Sequence, residues 1–129
     1  MNIQTISQML EEMPEILLAI VYGSAARERL TDKSDIDIAV AGNTAINYER
    51  MTEIANILSE RAGKEVDLVD LRQVSGPILL EILDKGRVIL KKSIPVYAEI
   101  LRKLWYNQAD MMPYTNMIMQ KQLDRFFHE

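Results

Sequence analysis

Two aspartates interrupt an apolar run in the stretch Asp35-Ile36-Asp37-Ile38-Ala39-Val40. An ionised carboxylate in apolar surroundings is costly unless a positive charge compensates it. In a strand, alternate residues share a face, so Asp35, Asp37 and Ala39 point one way and Ile36, Ile38 and Val40 the other. Two carboxylates at i and i+2 lie about 7 Å apart at Cα and can converge on a hard divalent cation. Mg²⁺ fits, because it takes oxygen ligands and links one or two carboxylates to substrate phosphates. A third acid comes from Glu65-Val66-Asp67-Leu68-Val69-Asp70-Leu71, where Val66 and Leu68 match the apolar parity and leave Asp67 with the pair. Three carboxylates on one sheet face suit a two-ion site, with Asp67 nearest an attacking hydroxyl. Asp70 has the opposite parity and reads as a structural or surface acid where the strand exits.

Gly23-Ser24 supplies the complementary half. A glycine lets a phosphate approach the backbone, and a helix beginning at Ser24 would turn unpaired N–H groups toward it. Arg27, and more weakly Arg29, stand where they could neutralise a departing pyrophosphate. Carboxylate-held cations beside a phosphate cradle make phosphoryl or nucleotidyl transfer chemistry.

Small elements must position these groups. Ile3, Ile6, Met9, Leu10 and Met13 have helical spacing, ended by Pro14. Residues 15–23 read as a buried strand, and the aspartate stretch as a second. Asn43 or Thr44 begins a long amphipathic helix closed by Gly63. A third strand runs through Asp67, Gly76-Pro77 opens another helix, and Arg87–Leu90 forms a last short strand. The order fits an α+β (mixed α/β) fold, a small mixed sheet with helices packed on one face. From Ser93 onward the character changes: Val96/Tyr97, Ile100/Leu101 and Leu104/Trp105 recur every four residues. After an interruption, Met119, Leu123, Phe126 and Phe127 make a second stripe. We divide the chain into a compact domain, 1–92, and a C-terminal helical extension, 93–129, whose stripes either pack back onto the sheet and helices or bind a partner or a second copy.

The 129 residues carry net charge −4, which argues against a direct nucleic-acid binder. The longest apolar run has seven residues, too short to span a bilayer, and no leader is evident. Without cysteine there is no disulfide or thiolate metal site. His128 alone makes no metal site either. A cytoplasmic protein is the expectation.

Gly23-Ser24, ten residues, then Asp35-Ile-Asp37 resembles the G-S-x10-D-x-D signature of the DNA polymerase β-type nucleotidyltransferase superfamily. The surrounding residues are similar to its smallest members, the minimal nucleotidyltransferase (MNT) proteins, over about residues 1–92. The resemblance implies two Mg²⁺ ions and ATP, with AMP moved to a hydroxyl and pyrophosphate released. It implies that Asp35 and Asp37 hold metal, that Asp67 is the third carboxylate, and that Gly23 and Ser24 grip the triphosphate. Glu28-Arg29 departs from the Arg-Gly that members often carry there. Such proteins often serve as antitoxins to HEPN-domain ribonuclease toxins, some by attaching AMP to a toxin tyrosine. "RFFH" at residues 125–128 lacks the spacing of a HEPN nuclease motif, so this chain would be the antitoxin half, with the C-terminal helices meeting the toxin. Two alternatives stand beside this: a non-catalytic antitoxin that covers the toxin's active site, and a transferase acting on a small-molecule hydroxyl such as an aminoglycoside.

Overall fold

The computed structural model describes residues 3–23, 35–107, 120, 121, 123 and 124. Ser24, Arg27, Arg29, His128 and most of the second C-terminal stripe lie outside the described residues. Among the described residues, four helices and four strands follow in the order α1 (Ile3–Glu11), β1 (Leu18–Tyr22), β2 (Ile36–Ala41), α2 (Tyr48–Ala62), β3 (Val66–Asp70), α3 (Gly76–Lys85), β4 (Arg87–Lys91) and α4 (Ile94–Asn107). Among the described residues the sheet order is β3-β2-β1-β4, with β3 and β4 at its edges. β1 runs antiparallel to β2 and β4, while β2 and β3 are parallel. The parallel pair requires a crossover, which α2 provides. The result is the mixed four-stranded α/β fold that the order of elements predicts.

Local chemistry sets the boundaries. α1 buries Ile6 and Leu10, one turn apart, and Pro14 prevents its continuation. α2 starts later than expected, because its cap is Asn47 rather than Asn43 or Thr44. The Asn47 Oδ1 accepts the Arg50 N–H at 2.7 Å. The preceding loop is instead fastened to β3, where the Ile46 N–H donates to Asp70 at 2.8 Å. Gly63 ends α2 with φ +69°, its N–H donating to the Ser59 carbonyl.

The expected packing on one face requires correction, since helices cover both. Ala19, Val21, Ile36, Ile38 and Val40 share a core with α1 and α2. Leu18, Ile20, Ala39 and Ala41 pack with α3 and α4 on the other side. The reason is already in β1, where Leu18, Ala19, Ile20 and Val21 are all buried. A strand apolar on both faces needs cover on both. α4 supplies much of it, placing Val96, Tyr97, Ile100, Leu101 and Leu104 in the core. As far as Leu104, that stripe is therefore spent within the chain. Leu123 also packs on this core, and Lys121 Nζ meets Asp84 of α3 at 2.9 Å.

This second face is divided along its length. Ala39 and Ala41, toward the end of β2, lie in the apolar core beneath helices. Asp35 and Asp37, at its beginning, do not.

Candidate active site

The register of three strands assembles the site. Tyr22 pairs with Asp37 across the antiparallel β1–β2 ladder, and Asp37 pairs with Asp67 across the parallel β2–β3 ladder. Directly paired residues point to the same face. Tyr22, Asp37 and Asp67 thus form one row across the sheet, with Asp35 two residues before Asp37 on the same side. Asp35 and Asp67 are exposed, while Asp37 is half-buried.

The row is electrostatically unsettled. Burial pushes the Asp37 carboxyl above its ordinary value, and the negative charges of Asp67 and then Asp35 push it further. Among the described residues, no lysine or arginine pairs with any of the three. The neighbouring Tyr22 hydroxyl is pushed up to about 12 by burial, then by Asp37, Asp67 and Glu81. It stays protonated at neutral pH. Neither Tyr22 nor Glu81 emerges as a neighbour of the site from residue spacing alone. Tyr22 has the right parity beside Gly23, but the Glu81 contribution depends on how α3 packs.

Gly23 closes the row at the end of β1. Its φ of +67° is one that side chains rarely adopt. A Cβ placed there would lie 2.6 Å from Asp37 Oδ2. The backbone at Gly23 is thus pressed against the central carboxylate, and a side chain there would push the Asp37 carboxylate aside. Beside the phosphate contact expected at Gly23, this close approach is a second reason for glycine there.

Among the described residues, no three of His, Cys, Asp or Glu close into a ready-made ion cage. The donor set nonetheless fits a hard divalent cation. It consists of carboxylates only, and the like-charge repulsion and desolvation at Asp37 are both relieved by a bound positive charge. Mg²⁺ in particular keeps several waters and completes its shell with substrate phosphates. Asp35, Asp37 and Asp67 are the residues that would hold it.

Asp70, three residues beyond Asp67, has a different setting. It is only 4% exposed and accepts the N–H groups of Ile46 and Arg72. Arg72 in turn donates to the Gly42 carbonyl and to Glu99 of α4, and Lys103 Nζ to the Leu71 and Arg72 carbonyls. This is the structural role that its parity suggested.

Comparison with known proteins agrees with this geometry. The polymerase beta nucleotidyltransferase family model matches residues 4–94. A Methanocaldococcus jannaschii protein described as a candidate protein adenylyltransferase is 31% identical over 81 residues, covering 63% of this chain and 83% of that one. The protein adenylyltransferase MntA of Shewanella oneidensis is 35% identical over 78 residues, covering 60% of this chain and 55% of MntA. Among solved structures, a chain of a toxin–antitoxin crystallised with AMP-PNP superposes with a TM-score of 0.69 at 22% identity, over 90% of this chain and 98% of that chain. A chain from the complex of tri-AMPylated Shewanella oneidensis HEPN toxin with MNT antitoxin gives 0.61 at 21% identity, over 90% and 98%. At such identities the structural likeness speaks to the fold, while the family model spans the carboxylate row itself. The chain is a nucleotidyltransferase and belongs to the polymerase beta nucleotidyltransferase family.

Proposed function

We propose that this chain is a Mg²⁺-dependent protein adenylyltransferase that moves AMP from ATP to a tyrosine hydroxyl of a HEPN toxin, and so acts as its antitoxin. The observation that carries the reading is the Asp37–Asp67 pair, facing the same way from adjacent parallel strands with no cation of the protein's own among the described residues. The relatives named as adenylyltransferases, and the toxin–antitoxin neighbours, favour protein over small-molecule acceptors.

The chemistry follows from what each group can do. Asp35 and Asp37 hold the cation side, and Gly23 with Ser24 receives the triphosphate, with Arg27 beside it. Bound Mg²⁺ would supply neutralising charge at the phosphates. The tyrosine oxygen attacks the α-phosphorus and forms a new P–O bond. The bond from that phosphorus to the oxygen bridging toward the β-phosphate breaks, and pyrophosphate leaves with the electron pair. Asp67, exposed at the outer end of the row, accepts the phenolic proton and passes it to water. The α4 stripe belongs to the core, so toxin contact falls to the remaining surface of the 93–129 segment and to the rim of the site. We place the protein in the cytoplasm. Among the described residues no helix is long and apolar enough to cross a membrane.

The test is a variant carrying both Asp35→Ala and Asp37→Ala, incubated with toxin, ATP and Mg²⁺. Retained toxin binding, with loss of both the AMP mass gain and neutralisation, supports the reading. Full neutralisation by this double variant would show that the antitoxin works by occlusion instead.

A further inference from the structure

The free edge of β3 borders a groove of about 620 Å³ that runs from Asp67 along α2. Its main-chain pattern follows from the parallel ladder. Ile36 N–H donates to the Glu65 carbonyl and Leu71 N–H to the Val40 carbonyl. Residues 65, 67, 69 and 71 therefore turn their peptide groups to β2, and Val66, Leu68 and Asp70 turn theirs outward. The Val66 N–H is taken by Ser59 Oγ at 2.9 Å, and the Asp70 carbonyl by Gln73. Among the described residues nothing takes the Leu68 N–H or carbonyl, so this donor and acceptor lie open at the middle of the edge. The other edge strand is treated differently. β4 carries Arg87 and Lys91, the kind of charge that discourages edge pairing, and Ser7 of α1 caps the Ile89 carbonyl.

The groove's charge narrows its occupant. Its described lining contains the exposed Glu65 and Asp67, with the buried Asp70 behind them, and neither lysine nor arginine. Such a surface repels phosphate and nucleic acid and favours a neutral or cationic guest. Unpaired main-chain groups on a strand edge are matched by extended polypeptide, which adds a strand and alternates its side chains between the two faces. One set of side chains would stand beside Asp67. The other would enter the hollow over Met51 and Ala55 of α2.

We propose that the acceptor polypeptide docks as an added strand along β3, as an extended segment with basic character, setting its hydroxyl-bearing residue beside Asp67 and alternate apolar residues against Met51 and Ala55. This rests on the transferase reading above and names how that site selects its acceptor.

The full chain, with ATP and Mg²⁺, is offered a pooled library of tyrosine-centred peptides, and modified members are identified by mass. Lysine- and arginine-containing sequences, with apolar residues alternating about the tyrosine, are expected to be enriched, and acidic or proline-containing ones depleted. The best peptide is then N-methylated one amide at a time. Losses of tenfold or more at every second position are expected, because only alternate amides face β3. Ala55→Arg, which puts bulk and positive charge in the groove, should raise the acceptor KM at least tenfold with kcat within twofold. Peptide modification without the alternating losses, or an unchanged KM in Ala55→Arg, overturns the docking inference while leaving the transferase reading intact. A chain that binds MgATP yet modifies neither toxin nor peptide overturns the transferase reading. Modification of intact toxin but of no peptide overturns the docking inference alone.

Discussion

Asp67 and Asp70 lie on the same short strand, yet the fold treats them in opposite ways. Asp70 is buried, saturated with main-chain donors, and close to Arg72 and Lys103. It joins the loop before α2 to the turn after β3, holding three segments with one carboxylate. Asp67 is exposed and lies beside Asp37, whose charge it makes harder to keep. A carboxylate that serves the fold has its countercharges and donors built in. A carboxylate reserved for a ligand is left in need of one, and the protein tolerates the repulsion.

The sharpest way to break this contrast is at Asp37. Replacing it with alanine should lower AMP transfer by about a thousandfold, the scale of losing a principal electrostatic group. The thermal midpoint should hold or rise, because repulsion with Asp35 and Asp67 disappears. Stopped transfer assays and a melting curve read both quantities, and a large fall in the midpoint would contradict the contrast. Asp70→Ala should show the reverse signature. It leaves the buried Ile46 N–H and the part-buried Arg72 N–H without an acceptor, at a cost of about 2–4 kcal/mol, measured by urea unfolding. Transfer by the fraction still folded should change by less than about threefold if Asp70 is purely structural.

Gly23→Ala sharpens the picture between these extremes. The added methyl meets Asp37 Oδ2, and φ +67° is unfavourable for alanine by about 1–2 kcal/mol. A stability loss of that size should accompany a fall in transfer of roughly tenfold to a hundredfold, as the central carboxylate is displaced. The smallest effect is the pH dependence in cation-free protein. Asp37 has a folded pKa raised above its ordinary 3.8, so the folded state keeps this proton longer than the unfolded chain does. Its contribution to stability is full below the ordinary value and is lost as pH rises through the raised one. Unfolding midpoints from pH 3 to 7 should therefore fall more steeply with pH in the wild type than in Asp37→Asn. Mg²⁺ should flatten the difference by taking the proton's place, and a slope unchanged by either would show that the carboxylates do not interact.

Much of this arrangement was legible beforehand because strands alternate. The parity of Ile36, Ile38, Val66 and Leu68 assigned Asp35, Asp37 and Asp67 to one face, and their pairing puts Asp37 and Asp67 side by side. Helix limits followed where a stop was chemically strong, at Pro14 and Gly63. They slipped at the start of α2, where three residues within five offered caps and only the tie between Ile46 and Asp70 selected Asn47. The placement of α4 stays open in the sequence for a related reason. Val96, Ile100 and Leu104 mark an apolar stripe without saying what covers it, and the need for cover lay in β1, eighty residues away. Glu81 near Tyr22 and the open Leu68 edge were not visible at all, because neither leaves a local pattern.

The amino-acid order alone determined the three carboxylates, the glycine after β1 and the alternation that gives the acids a common face, since these depend only on residue type and local geometry. The tertiary structure decided which strand became an edge, which aspartate was held by main-chain donors and which helix covered the second face. Those outcomes depend on contacts between residues distant in sequence, where burial and charge pairing, rather than spacing, set the free energy.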